Sequence, residues 1–161
     1  MKKEILFLAA LATCLSSFGQ TFEKTAQGGK FQTAQPTLNG EVIFYSPSIV
    51  RIVKYPSAEM PEKKSYPVIK TPEKVEISYK QNGNTVCMTS GKMTVTLDVV
   101  TGKVTYTDLK GETLLKEKVE GTNFIPRKDV NRDAFTVSQA FSLEPEEAIY
   151  GLGQRQSGAM N

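Results

Sequence analysis

The chain of 161 residues contains no histidine and no tryptophan, and only two cysteines. Without an imidazole these residues cannot assemble a Ser-His-Asp or Cys-His nucleophile system, or the usual His-bearing zinc sites. Without an indole, any contact with a sugar ring falls to Tyr, Phe or polar groups. Cys14 sits in the N-terminal apolar stretch, so the rest of the chain keeps Cys87 alone and no intramolecular disulfide is expected. A stripe of like charge is also missing. The net charge is only +3 and the lysines are interleaved with acidic residues, which argues against nucleic acid as a partner. Amphipathic helical windows longer than a few turns are lacking throughout. No cofactor and no metal is expected.

The sequence opens on an export signal. Lys2 and Lys3 precede a short apolar run from Ile5 to Leu15, and Ser17-Phe18-Gly19 supplies small residues for cleavage. The run is too short to span a bilayer. Residues 1–19 are therefore expected to be a signal peptide whose removal leaves Gln20 first. Leu11-Ala12-Thr13-Cys14 offers a rival, a lipoprotein signal that would leave a lipidated Cys14; a membrane partner is expected only in that case. Either route places the chain in the periplasm or at the cell surface. Residues 20–37 show no sustained period and are expected to form a leader segment. The domain proper is expected over 38–161.

From there strands and turns alternate. Glu41 to Tyr45 is of strand length and ends at Ser46-Pro47-Ser48. Ile49 to Tyr55 is apolar on both parities, as in a strand buried on both sides, with Arg51 expected to snorkel or pair at a sheet rim. Pro56, Pro61, Pro67 and Pro72 exclude a helix or a central strand. An extended arm is expected there, with Tyr66-Pro67-Val68-Ile69 available as an edge strand. Val75, Ile77 and Tyr79 then share one face, and Asn82-Gly83 signals a hairpin into Thr85–Thr89. Met93, Val95, Leu97 and Val99 alternate with polar residues, and Thr101-Gly102-Lys103 turns into Val104–Thr107. Glu112 to Val119 reads as a strand and Asn123 to Asp133 as a polar loop. In the final strand Phe135, Val137, Phe141 and Leu143 face one way, with only Gln139 breaking that side. Many short strands, frequent turns and almost no helix predict an all-β antiparallel β-sandwich.

Clusters of reactive groups are read as structure. Gly151-Leu152-Gly153 lacks the third glycine and the helix of a dinucleotide fingerprint, so its glycines serve a bend or a close strand approach. Glu144, Glu146 and Glu147 stand around Pro145 and are expected to be a solvated turn, since no neighbour desolvates them. Asp98 and Asp108 occupy turn positions. Cys87 is expected to be an inert thiol.

Glu147-Ala148-Ile149-Tyr150-Gly151-Leu152-Gly153-Gln154 resembles a phrase of glycoside hydrolase family 31, which includes α-glucosidases and α-xylosidases. Phe44-Tyr45-Ser46-Pro47-Ser48-Ile49-Val50-Arg51-Ile52, Leu97-Asp98-Val99-Val100-Thr101-Gly102 and Asp108-Leu109-Lys110-Gly111-Glu112-Thr113-Leu114-Leu115 resemble earlier phrases of the same family, in the same order. The resemblance implies a galactose-mutarotase-like N-terminal sandwich, here incomplete at its C-terminus, ahead of a catalytic (β/α)8 barrel. It further implies retaining hydrolysis of α-linked glucose or xylose by two aspartates of that barrel. No catalytic, cofactor-binding or metal-binding residue is thus assigned within these residues, and the chain alone is expected to be inactive. The partners implied are the catalytic barrel of the same parent chain and, through the full-length enzyme, an α-linked glucose- or xylose-containing oligosaccharide. The alternatives are a free-standing periplasmic carbohydrate-binding sandwich and a purely structural one.

Overall fold

The computed structural model describes residues 20–34, 38–56 and 66–148. The segment expected to be an export signal, most of the proline-rich arm and the Tyr150-Gly151-Leu152-Gly153 phrase lie outside them. The described residues form strands and no helix. Strands β1 (Thr21–Thr25), β2 (Gly28–Gln32), β3 (Asn39–Ser46) and β4 (Ile49–Tyr55) make one sheet in the order β1-β2-β3-β4. Strands β5 (Ser78–Asn82), β6 (Thr85–Thr89), β7 (Met93–Asp98), β8 (Val104–Asp108), β9 (Thr113–Asp129) and β10 (Arg132–Ser142) make the other, in the order β10-β9-β8-β7-β6-β5. Every pairing is antiparallel and joins consecutive strands. The all-β sandwich expected from the alternating pattern is the fold observed.

Period-two alternation places the core. Phe31, Val42 and Phe44 point inward from the smaller sheet, and Val86, Met88, Val95, Leu97 and Val104 from the larger, all at most 3% exposed. Their cross-strand partners share a face: Val86 lies opposite Leu97, which lies opposite Val104. A one-residue slip would turn this whole set to solvent, so burial fixes the register. The turns use the expected residues. Asp98 Oδ1 accepts the backbone N–H of Val100 and Thr101 at 2.8 and 3.2 Å, and Asp108 Oδ1 accepts those of Lys110 and Glu112 at 2.8 Å each. Between β5 and β6, Asn82 pairs with Thr85, so Gly83-Asn84 is the two-residue loop; Gly83 carries the positive φ of 57° there.

Four expectations are corrected. The segment 20–37, expected as a leader ahead of the domain, is not separate from it: 21–32 form the β1–β2 hairpin, which pairs onto β3. Their alternation is short and interrupted by Gly28 and Gly29, where the neighbouring backbone comes close, so the pattern fell below what a period search detects. Tyr66 to Ile69 does not dock as an edge strand; Tyr66 and Ile69 stand 87% and 92% exposed. β4 is not buried on both sides but ends its sheet among the described residues, with Ile49 half exposed and Val50 to Lys54 partly buried. Asn123 to Asp133 is no loop: β9 and β10 run through it as one long hairpin. Pro126 is tolerated because that part of β9 pairs with β10 alone, beyond its last partner on β8.

The hairpin turns at Val130-Asn131, both with positive φ (41° and 65°) between the paired Asp129 and Arg132. A β-branched residue is poorly suited to that region, whereas asparagine enters it readily. Val130→Asn is expected to stabilise the hairpin by about 1 kcal/mol, read as slower amide exchange at 124–137 with the core unchanged.

Candidate functional site

A buried polar constellation joins the two sheets where Lys54 of β4 meets Glu117 and Thr122 of β9. Lys54 follows Val50 and Ile52 on the inward face of β4, the position an apolar residue would ordinarily hold. Its ammonium meets Glu117 Oε2 at 2.6 Å, with the two side chains 7% and 4% exposed. Lys54 Nζ also donates to Thr122 Oγ1 at 3.0 Å, and Thr122 donates in turn to Gln139 Oε1 at 2.5 Å. Glu117 Oε2 accepts the Val104 backbone N–H at 2.8 Å. Burial and the nearby Glu117 carboxylate push the Tyr106 hydroxyl well above the ordinary tyrosine range. It stays protonated at any physiological pH.

Local structure explains how these groups converge. Glu117 lies opposite Phe141 in the ladder, and Thr122 opposite Gln139; a register shift between Gln139 and Phe141 accommodates the intervening residues of β9. Glu120 takes a φ of 55° there, and Gly121 lies close to the Ala140 carbonyl. Such bulges re-aim side chains, and this one sets Glu117 and Thr122 around the same ammonium.

A cavity of about 320 Å³ opens beside this constellation, lined among others by Ile52, Tyr106, Phe124 and Phe141. Aromatic faces next to amide, hydroxyl and charged groups are the chemistry of a polyol or sugar contact. Among the described residues Glu117 is the sole carboxylate on its wall, and it is committed to Lys54 and Val104. The described residues do not assemble in this cavity the pair of facing carboxylates that glycosidic cleavage uses.

A second depression, about 400 Å³, lies against Leu115, Lys116, Glu144, Glu146 and Glu147. These glutamates are exposed, and Glu147 Oε2 accepts the Glu144 backbone N–H at 3.2 Å. They form the turn after β10, as the sequence led one to expect. Arg51 donates to the Tyr45 hydroxyl at 3.3 Å, and Cys87 lies 3.7 Å from Thr96 Oγ1, half-buried. Neither belongs to the constellation.

The sequence alone does not single out Lys54, Glu117 or Thr122. Its one signal was Gln139, the lone polar residue on an inward face. Nothing in the spacing linked residues 63 apart across two sheets.

Comparison with known proteins gives this geometry a family context. The model of the glycosyl hydrolase 31 N-terminal galactose mutarotase-like domain matches residues 40–161. The chain is 34% identical over 116 residues to alpha-glucosidase 2 of Bacillus thermoamyloliquefaciens, covering 71% of this chain and 14% of that protein. It is 30% identical over 122 residues to an alpha-xylosidase of Saccharolobus solfataricus, covering 75% of this chain and 16% of that protein. Among solved structures, a GH31 alpha-xylosidase from Xanthomonas citri shares the fold, with a TM-score of 0.69 at 21% identity over 86% of this chain and 14% of that one. The chain thus spans 14–16% of the length of the curated relatives it matches.

Proposed function

The chain belongs to glycosyl hydrolase family 31 through its N-terminal galactose mutarotase-like domain, and from that premise we propose that it is the non-catalytic β-sandwich portion of an exported, retaining α-glycosidase. The parent acts on an α-linked glucose- or xylose-containing oligosaccharide in carbohydrate breakdown. The observation that carries this reading is the match of residues 40–161 to that domain, with an alpha-glucosidase and an alpha-xylosidase as relatives of much greater length. The described cavities support it from the other side, since the buried carboxylate among them is held in a structural ion pair.

The test is activity. The product of the complete reading frame is expected to release p-nitrophenol from the α-xyloside or the α-glucoside, and the 161-residue chain alone to release none. Turnover by the chain alone would overturn the reading. Export has its own check: mass spectrometry of the mature protein is expected to find Gln20 first, or a diacylated Cys14 if the lipoprotein route is used, and an intact Met1 contradicts both.

A second reading, a carbohydrate-binding sandwich, draws on the aromatic and polar lining of the 320 Å³ cavity. Titration calorimetry with xyloglucan and malto-oligosaccharides decides it, heats no larger than dilution removing it.

A further inference from the structure

Gln20 is the first described residue and stands one position ahead of β1. It is partly buried, and its side-chain Nε2 donates to Asn84 Oδ1 at 3.0 Å, in the loop between β5 and β6. Asn84 is itself anchored, since its backbone carbonyl accepts the Val99 N–H at 2.9 Å. Cleavage after Gly19 would therefore put the new chain end directly on the fold. Two residues further on, Phe22 already packs against the core. Its ring lies over Gly29, where an added Cβ would run into it, and 6.5 Å from the ring of Tyr79. The Tyr79 hydroxyl donates to the Gly28 carbonyl at 2.8 Å, so this corner seats β1 and β2 over β5. Loss of three residues from such an end would remove Phe22 and open the corner.

A glutamine at a chain end has chemistry of its own. Its α-amine has a pKa of about 8, so near neutral pH a sizeable fraction is the uncharged nucleophile. The side-chain amide carbon of the same residue lies at the distance of a five-membered ring. Holding nucleophile and carbonyl in one residue supplies the proximity that aminolysis between two molecules lacks. Asparagine would need a four-membered ring, and a glutamate carboxylate offers a far poorer leaving group.

We propose that Gln20 is a modification site, carried in the mature chain as a pyroglutamyl cap. The inference rests on the reading of residues 1–19 as a cleaved export signal. In the step, the α-nitrogen attacks Cδ of the same residue. The N–Cδ bond forms, the Cδ–Nε2 bond breaks, and one amine proton leaves with Nε2 as ammonia; no oxidant or reductant is consumed. The Asn84 contact opposes closure, because Nε2 is both its donor and the leaving nitrogen. A hydrogen bond exposed to water slows the step by about tenfold at most, and loss of ammonia to the medium makes it one-way. The product keeps one lactam N–H for Asn84 but has no α-ammonium. Aminopeptidases grip a chain end by that group, so the cap guards Phe22 and the corner it closes.

The test takes the full chain, expressed from Met1 in a host that exports it, and reads the mature protein by tandem mass spectrometry of its first tryptic peptide, Gln20-Thr21-Phe22-Glu23-Lys24. An isotope-labelled synthetic copy with a free amine, added at lysis, measures cyclisation during preparation. Most of the protein's own peptide is expected to be lighter by one ammonia while the labelled copy stays largely open. Gln20→Asn keeps a side-chain amide but cannot close the five-membered lactam. It is expected to retain a free amine and to be shortened by an aminopeptidase that leaves the wild type intact. A free Gln20, or conversion no greater than that of the labelled copy, overturns the proposal and leaves the export reading standing. Equal shortening or equal resistance of the two proteins overturns the guarding role. A chain that begins at Met1, or at a lipidated Cys14, removes cleavage after Gly19 and the proposal with it.

Discussion

Glu117→Ala is expected to destabilise the chain by about 3 kcal/mol or more. The carboxylate is 4% exposed and accepts from both Lys54 Nζ and the Val104 backbone N–H. Its removal leaves a buried ammonium with only the Thr122 hydroxyl, and a backbone donor without its acceptor. An unsatisfied buried donor adds about 1–3 kcal/mol to the cost of the orphaned charge. The pair itself is a different quantity, since desolvation offsets most of its Coulombic gain. The double variant Lys54→Met/Glu117→Leu is therefore expected to recover most of the loss, leaving the Val104 donor as the residual cost. Urea unfolding of the wild type, the single variant and the double variant reads this directly. A single-variant loss under about 0.5 kcal/mol, as at an ordinary surface site, would mean that the pair is solvated.

Gly28→Ala is the second large effect. Gly28 has a φ of 150°, which L side chains rarely adopt, and an added Cβ would lie 2.1 Å from the Val42 carbonyl oxygen and 2.9 Å from its carbon. Those atoms are backbone of the neighbouring strand, so no side-chain rotation relieves the overlap. Either β2 moves away from β3 or the Gly28 carbonyl loses the Tyr79 hydroxyl that ties the sheets together. A loss of about 3 kcal/mol or more is expected from strain and clash together, measured as a lower urea midpoint. Gly83→Ala makes the control: its loop position has open space around it, so only the conformational cost of a positive φ remains, about 1 kcal/mol. Equal losses at the two positions would contradict this account.

The larger sheet was the most legible part of the fold. From Met93 to Val99 apolar and polar residues alternate strictly, glycine and aspartate punctuate the turns, and the core residues named from that period are those found buried. Legibility fails where one side of a strand lacks a partner. β4 reads as a doubly covered strand because its sequence is that of one, yet its free edge and part of its inward face meet nothing among the described residues. The β9–β10 hairpin reads as a loop because its tip is charged, its turn is Val-Asn rather than Asn-Gly, and Pro126 interrupts it. The β1–β2 hairpin hides behind glycines whose role is close backbone approach, which carries no periodic signal. The polar seam showed in the sequence only at Gln139, because pairing between sheets depends on tertiary stacking that no local pattern encodes. The turn roles of Asp98 and Asp108, by contrast, need only their immediate neighbours and were read correctly.

The central claim is that this sandwich is one part of a longer α-glycosidase, and the sequence of the coding DNA beyond codon 161 tests it most directly. The account predicts that the frame stays open and encodes a (β/α)8 barrel carrying two catalytic aspartates, in proportion to relatives of which this chain spans 14–16%. A stop codon immediately after Asn161, within intact flanking sequence, would contradict it.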